Sequence, residues 1–225
     1  MKLWLRNRIA GWCLDALRNP AAEARIHALT AFVGQADASG AARHLGEDHA
    51  ETLAASDVFE RAEPGVRLRA DLAGDLAALR WRAQRFSEAL SDCRAGCEAP
   101  RADEVGWSLC AAAALFNRRL FFEVHELLED CWRPAGEPLK TMLQGLIQVA
   151  VGLHHQANGN LRGAVALLDE GNAKLQHFAP GAHGVELGAF CRAVDAMAGA
   201  LRGSDAPEAL PMPRLVVHHS SLITR

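Results

Sequence analysis

The second half of the chain carries helical apolar periodicity almost without interruption, and this pattern limits the possible fold more than any other feature. Between Trp107 and Leu201, apolar residues recur at spacings of three and four, which is typical of amphipathic helices. Proline, glycine and asparagine break the pattern at short intervals, so consecutive helices are expected to be close neighbours. The breaks predict five helices, at about 107–116, 119–132, 139–157, 161–178 and 186–201.

The first half of the chain has weaker patterns. Asn19-Pro20 predicts the start of a helix, because proline suits the first helical turn. Two short helices are expected on either side of Gly46, and a long one over about 71–90. Val66 to Arg69 alternates apolar and basic residues, which predicts a brief strand. The expected fold class is therefore all-α, a multi-helical bundle or array with one short strand or hairpin in the N-terminal region.

One stretch between the two halves, residues 91–106, lacks periodicity and contains two glycines and a proline. It is the candidate boundary between an N-terminal helical region, residues 1–100, and a helical bundle, residues 101–202. The tail, residues 203–225, contains three prolines and is expected to form an extended arm. Within residues 1–100, helices followed by Val66–Arg69 are loosely similar to a small winged helix in degenerate form.

Composition and charge argue against several classes of function. The formal net charge is -3, whereas a large nucleic-acid surface normally needs clustered positive charge, so nucleic acid is not an expected partner. No apolar run reaches the roughly 20 residues that a membrane helix needs, and no signal peptide is recognisable. The six cysteines lie mostly within apolar helical patterns. We therefore expect free thiols in a cytoplasmic protein.

The best-defined polar pattern lies on the helix predicted over 119–132. On a helical wheel that advances about 100° per residue, His125, Glu129 and Trp132 fall within about 60° of one another. They border the apolar stripe of the helix and do not lie opposite it. The stripe contains Leu120, Phe121, Val124, Leu127, Leu128 and Cys131, and the expected charged outer face contains Arg119, Glu123, Glu126 and Asp130.

The next predicted helix repeats this arrangement. Gln144, Gln148 and His155 share one face, since spacings of four and seven are close to whole helical turns. A short loop joins the two helices, so we expect antiparallel neighbours whose polar rows face each other across a groove. Gly145 and Gly152 each cost about 1 kcal/mol relative to alanine within a helix, which indicates close backbone packing there.

Two functions are compatible with such a groove. The favoured one is a non-enzymatic helical module that binds a protein or small-molecule ligand, and a homo-oligomer is compatible with it. The alternative is an enzyme in which His125 and Glu129 act as an acid/base pair or, together with His155, hold a divalent metal ion. A purely structural network is a third interpretation. The candidate groove residues are His125, Glu129, Trp132, Gln144, Gln148 and His155.

A set of short motifs runs through these two helices and the turns beside them. The motifs are Phe116-Asn117, Phe121-Phe122, His125-Glu126, Glu129, Trp132, Gln144-Gly145-Leu146-Ile147-Gln148, Ala150, His155 and Gly159-Asn160. Together they resemble a helical family known as domain of unknown function 309, over about residues 105–178. This resemblance implies a compact helical bundle, and it implies no established activity or cofactor.

Overall fold

The computed structural model describes residues 1–97, 104–203 and 211–218. Helices dominate these residues and all strands are short and antiparallel, which confirms the predicted all-α class. The chain divides into two compact units, residues 1–92 and 93–225. The domain limits that the sequence predicts near residues 100 and 202 stay a prediction. No helix in the described ranges is both long enough and apolar enough to cross a membrane.

The first unit consists of helices and one small sheet. Its helices are α1 (Leu3–Arg18), α2 (Glu23–Gln35), α3 (Glu47–Ala54) and α4 (Leu76–Gly96), of which α4 continues into the second unit. Its strands are β1 (Ala41–Ala42), β2 (Phe59–Arg61) and β3 (Val66–Leu68), in the order β1–β3–β2. The predicted strand at Val66 is confirmed and forms the centre of this sheet.

The segment after α2 is a strand where a short helix was predicted. The carboxylate of Asp37 accepts hydrogen bonds from the backbone N–H groups of Ser39 and Ala41, and Gly40 has a φ of 77°. This turn reverses the chain and aligns Ala41 with Arg67 of β3. Local turn chemistry therefore prevails over helical propensity here.

The second unit contains the five predicted helices and a short hairpin. The helices are α5 (Glu104–Asn117), α6 (Phe121–Trp132), α7 (Leu139–Ala157), α8 (Leu161–Gln176) and α9 (Gly188–Gly203). The hairpin, β4 (Gly181–Ala182) with β5 (Val185–Glu186), replaces the plain break expected before the last helix. Its turn holds His183 and Gly184 at positive φ, which lets the chain reverse in two residues.

Helices α7 and α8 cross with their backbones in contact. A Cβ on Gly145 would lie 3.0 Å from the carbonyl oxygen of Gly171, and one on Gly152 would lie 3.1 Å from the carbonyl oxygen of Ala164. A Cβ at Gly145 would press on α8 and on the side chain of Leu175, and one at Gly152 would require a shift of a few tenths of an ångström. The close backbone packing expected at Gly145 and Gly152 is therefore present, and its partner is α8.

The cysteines differ from the expectation of free thiols. Cys97, just after α4, forms a disulfide with Cys110 of α5, with their Cα atoms 5.8 Å apart. Cys93 and Cys191 are buried and free. The prediction was wrong for the bonded pair because sequence spacing does not reveal which helices bring two cysteines within bonding range. The expectation of a cytoplasmic protein therefore loses the support that it drew from free thiols.

The C-terminal tail is extended over residues 211–218, where its backbone lies against the β4–β5 hairpin. Val217 forms an antiparallel bridge with Val185, and the buried Leu215 is held by the side chain of Asn117. The rest of the expected arm, residues 204–210 and 219–225, lies outside the described residues.

Candidate functional site

Helix α6 is placed by a tight turn after α5. Arg119 occupies the left-handed region with a φ of 61°, and Leu120 precedes the helix as a buried residue. From Phe121 onward, α6 turns its apolar stripe into the core. The stripe residues Leu120, Phe121, Val124, Leu127 and Leu128 are buried, and Cys131 is half-buried.

One face of α6 lies half-buried beside this stripe, and we call it the α6 strip. Because its members are spaced by three and four residues, their side chains line up along the helix. Half burial leaves them in contact with the core on one side and with solvent on the other. The strip consists of Phe122, His125, Glu126, Glu129 and Trp132.

The imidazole of His125 lies between two carboxylates of the strip. Its Nδ1 is 3.0 Å from Oε1 of Glu126, and its Nε2 is 3.9 Å from Oε2 of Glu129. The same Glu129 oxygen is 3.1 Å from the guanidinium of Arg133. The side chain of His125 is 30% exposed, so water screens these contacts only in part. The arrangement places both ring nitrogens of His125 beside carboxylate oxygens of the strip.

Trp132 closes the strip at the end of α6. Nζ of Lys140, in the first turn of α7, stands 4.8 Å from the centroid of the indole ring. The indole Nε1 is buried and has no hydrogen-bond partner among the described residues. An indole N–H can only donate, and a buried donor without an acceptor destabilises the fold by about 1–3 kcal/mol.

The candidate residues of α7 make their contacts toward α8. Nε2 of Gln148 donates a hydrogen bond to Oε2 of Glu170 at 2.9 Å, while its Oε1 is buried without a partner in the described chain. Nδ1 of His155 lies 2.8 Å from the side-chain nitrogen of Asn160, in the turn before α8. Gln144 is half-buried on α7. The polar row of α7 therefore engages α8 through Gln148 and His155.

A different histidine of α7 reaches the α6 strip. The ring of His154 lies 6.1 Å from the ring of Phe122, and Phe122 lies 6.3 Å from the ring of His125. On a helical wheel His154 lies about 100° from His155 and therefore off the face of Gln144, Gln148 and His155. The wheel alone does not show which side of α7 meets α6. With that side known, it would have identified His154 as the histidine next to α6.

The side chains that could bind a metal ion also differ from the expected set of His125, Glu129 and His155. In the part of the chain that the structure describes, one group of three such side chains has ligand atoms within 4.8 Å of one another: His125, Glu126 and Glu129. His155 is not a member of it. Two ligands at about 2.1 Å from one zinc ion can be no more than about 4.2 Å apart. The side chains would therefore have to close further to hold an ion.

Glu123 is a buried carboxylate at a position that the sequence pattern predicted to be exposed. It was expected on the charged outer face of α6, and its exposure is 0%. On the helical wheel it lies only about 40° from Leu127 and about 60° from Leu120, two residues of the apolar stripe. Its proximity to the apolar stripe could have predicted burial, but glutamate is a residue type that is usually exposed.

Comparisons with known proteins bear on the stretch that carries this site. Neither the comparison with curated proteins nor the comparison with solved structures gave a match. A family model matches residues 109–167, which include most of α5, all of α6 and α7, and the start of α8. The resemblance inferred from the motifs is thereby confirmed: residues 109–167 match the family described as Domain of unknown function (DUF309).

Proposed function

We propose that the α6 strip, together with the start of α7, is a binding site for a protein or small-molecule ligand, and that this module is not an enzyme. The observation that carries the proposal is the buried indole N–H of Trp132, which no group in the described residues accepts. An acceptor supplied by a ligand would remove the cost of that unsatisfied donor.

The ammonium group of Lys140 indicates the chemistry of the ligand. It stands over the indole ring of Trp132, so an ammonium donor and an N–H donor lie at one place. A carboxylate or phosphate oxygen accepts from both types of donor. The indole nitrogen is covered in this structure, so the ligand would displace a neighbouring group. The flexible side chain of Lys140 is suited to move in this way.

Thermal-shift and calorimetric titration with small carboxylates and phosphates would test the proposal. Trp132→Phe keeps an aromatic ring and removes the N–H donor, so it should weaken binding about 10- to 150-fold, as expected for one hydrogen bond to a charged group. Trp81→Phe is the matched control, because Trp81 is exposed and lies in the first unit. Equal affinity of wild type and Trp132→Phe, or no binding by either, would contradict the proposal.

The second candidate function is metal-dependent or acid/base catalysis. The observation in its favour is the grouping of His125, Glu126 and Glu129. Elemental analysis of the purified wild type and of His125→Ala separates it from the first proposal. Stoichiometric metal in the wild type that is lost in the variant would favour the enzyme. If neither protein holds metal, a tightly bound metal centre is ruled out.

A further inference from the structure

Three cysteines of the second unit lie in successive contact: Cys93 in the last turn of α4, Cys97 just after it and Cys110 on α5. Sγ of Cys93 lies 3.4 Å from Sγ of Cys97, and Cys97 is bonded to Cys110. Cys93 itself is free and only 5% exposed. A thiol in contact with a disulfide is the arrangement from which thiol–disulfide exchange begins.

We propose that Cys93 and the Cys97–Cys110 disulfide form an intramolecular thiol–disulfide exchange site. The Cys93 sulfur, as thiolate, attacks Sγ of Cys97, and the Cys97–Cys110 bond breaks. A Cys93–Cys97 disulfide forms, and Cys110 leaves as a thiolate that takes up the proton released by Cys93. One disulfide and one thiol are present before and after, so the step needs no external oxidant or reductant.

The backbone can accept the product. Cys93 and Cys97 are four residues apart at the end of α4, and four residues of α-helix span about 6 Å, within the Cα separation that disulfides tolerate. Cys110 belongs to α5, whose residues 106–116 are all buried. The departing thiol would therefore stay within the protein and could attack again in the reverse direction.

The exchange would change how the helices are connected. In the observed state the disulfide ties α5 to the residue that follows α4. After exchange the bond joins the last turn of α4 to the residue that follows it, and α5 carries a free thiol. Because only the thiolate is a nucleophile, burial of Cys93, which raises its thiol pKa to about 11, keeps the step slow near neutral pH.

Peptide mapping without reduction tests this directly on the full-length protein. Trypsin cleaves after Arg94 and Arg101, so the three cysteines fall on separate peptides, residues 86–94, 95–101 and 102–118. The protein is equilibrated in a glutathione redox buffer, its thiols are blocked with maleimide, and it is digested at mildly acidic pH to prevent later exchange. In the wild type we expect two populations: the 95–101 peptide should be linked to 86–94 in some molecules and to 102–118 in the others.

Two variants each allow only one of the two disulfides. In Cys110→Ser the 95–101 peptide should be linked to 86–94, and in Cys93→Ser it should be linked only to 102–118. Cys191→Ser, which removes a buried thiol elsewhere, should give the wild-type pattern. The proposal is overturned if the wild type never yields the 86–94 to 95–101 link. It is equally overturned if Cys110→Ser yields only glutathione adducts. The wild-type protein tests the proposal without any substitution, so the result remains decisive even if a variant does not fold.

Discussion

A Cβ built on Gly171 would lie 2.8 Å from the carbonyl oxygen of Gly145, so α7 and α8 touch through their backbones at these two residues. The backbone nitrogen of Val149 would be only 3.0 Å away. Gly171→Ala should therefore force the helices apart and lower the free energy of unfolding by about 1–3 kcal/mol, as overpacking does. Urea unfolding followed by circular dichroism measures this change.

Gly199 provides a control for that substitution. It lies in α9, and a Cβ there would have no atom within 4 Å. Since alanine favours the helix by about 0.5–1 kcal/mol over glycine, Gly199→Ala should stabilise the protein. Changes of equal sign in Gly171→Ala and Gly199→Ala would mean that the α7–α8 crossing is looser than described.

Asn117 ties the C-terminal tail to the end of α5. Its Nδ2 donates to the carbonyl oxygen of Leu215 at 2.9 Å, and its Oδ1 accepts from the N–H of Leu215 at 3.0 Å. Asn117→Ala removes both hydrogen bonds, so the free energy of unfolding should fall by about 1–3 kcal/mol. Hydrogen exchange should be faster over residues 211–218.

Asn117→Asp is the matched variant, because it keeps the acceptor for the N–H of Leu215 and loses the donor to its carbonyl group. Its effect on exchange in the tail should be smaller than that of Asn117→Ala. Unchanged exchange in both variants would show that other contacts hold the tail in place.

The turn at Asn117 also shows what the sequence could and could not predict. Periodicity correctly placed the end of α5 at this residue, because apolar spacing stops there. Arg119 has the left-handed conformation in this turn, although asparagine is the residue type that adopts it more readily. Asn117 instead binds Leu215, 98 residues away in the sequence. Local patterns contain no information about such a contact.

The candidate site likewise contains features that the sequence could predict and features that it could not. The wheel predicted that His125, Glu129 and Trp132 border the core of α6, and all three are half-buried. It could not predict that Gln148 and His155 would engage α8, because one helix face can meet either of two neighbours. Resolving that ambiguity requires the packing angles of the helices, which depend on the whole core.

His125 contributes little to folding if its role is binding. Its two carboxylate contacts are partly exposed, and exposed contacts of this kind contribute about 0–1 kcal/mol. His125→Ala should therefore lower the free energy of unfolding by about 1 kcal/mol or less, which chemical denaturation can measure. A loss of several kcal/mol would identify His125 as part of a structural network that fixes α6, and it would remove this residue from the proposed site.

Burial of Cys93 makes stability depend on pH in the alkaline range. Desolvation raises its thiol pKa from 9.0 to about 11, so below pH 9 the thiol is protonated in both folded and unfolded states. Between these values the unfolded chain releases the proton and the folded chain retains it. The free energy of unfolding should therefore fall with rising pH, by about 2–3 kcal/mol in all.

Urea unfolding between pH 9 and pH 11 tests this prediction in two proteins. Both carry Cys97→Ser and Cys110→Ser, so that no disulfide can exchange, and one of them also carries Cys93→Ala. Parallel pH profiles of the two proteins would show that Cys93 is more accessible to water than its 5% exposure indicates.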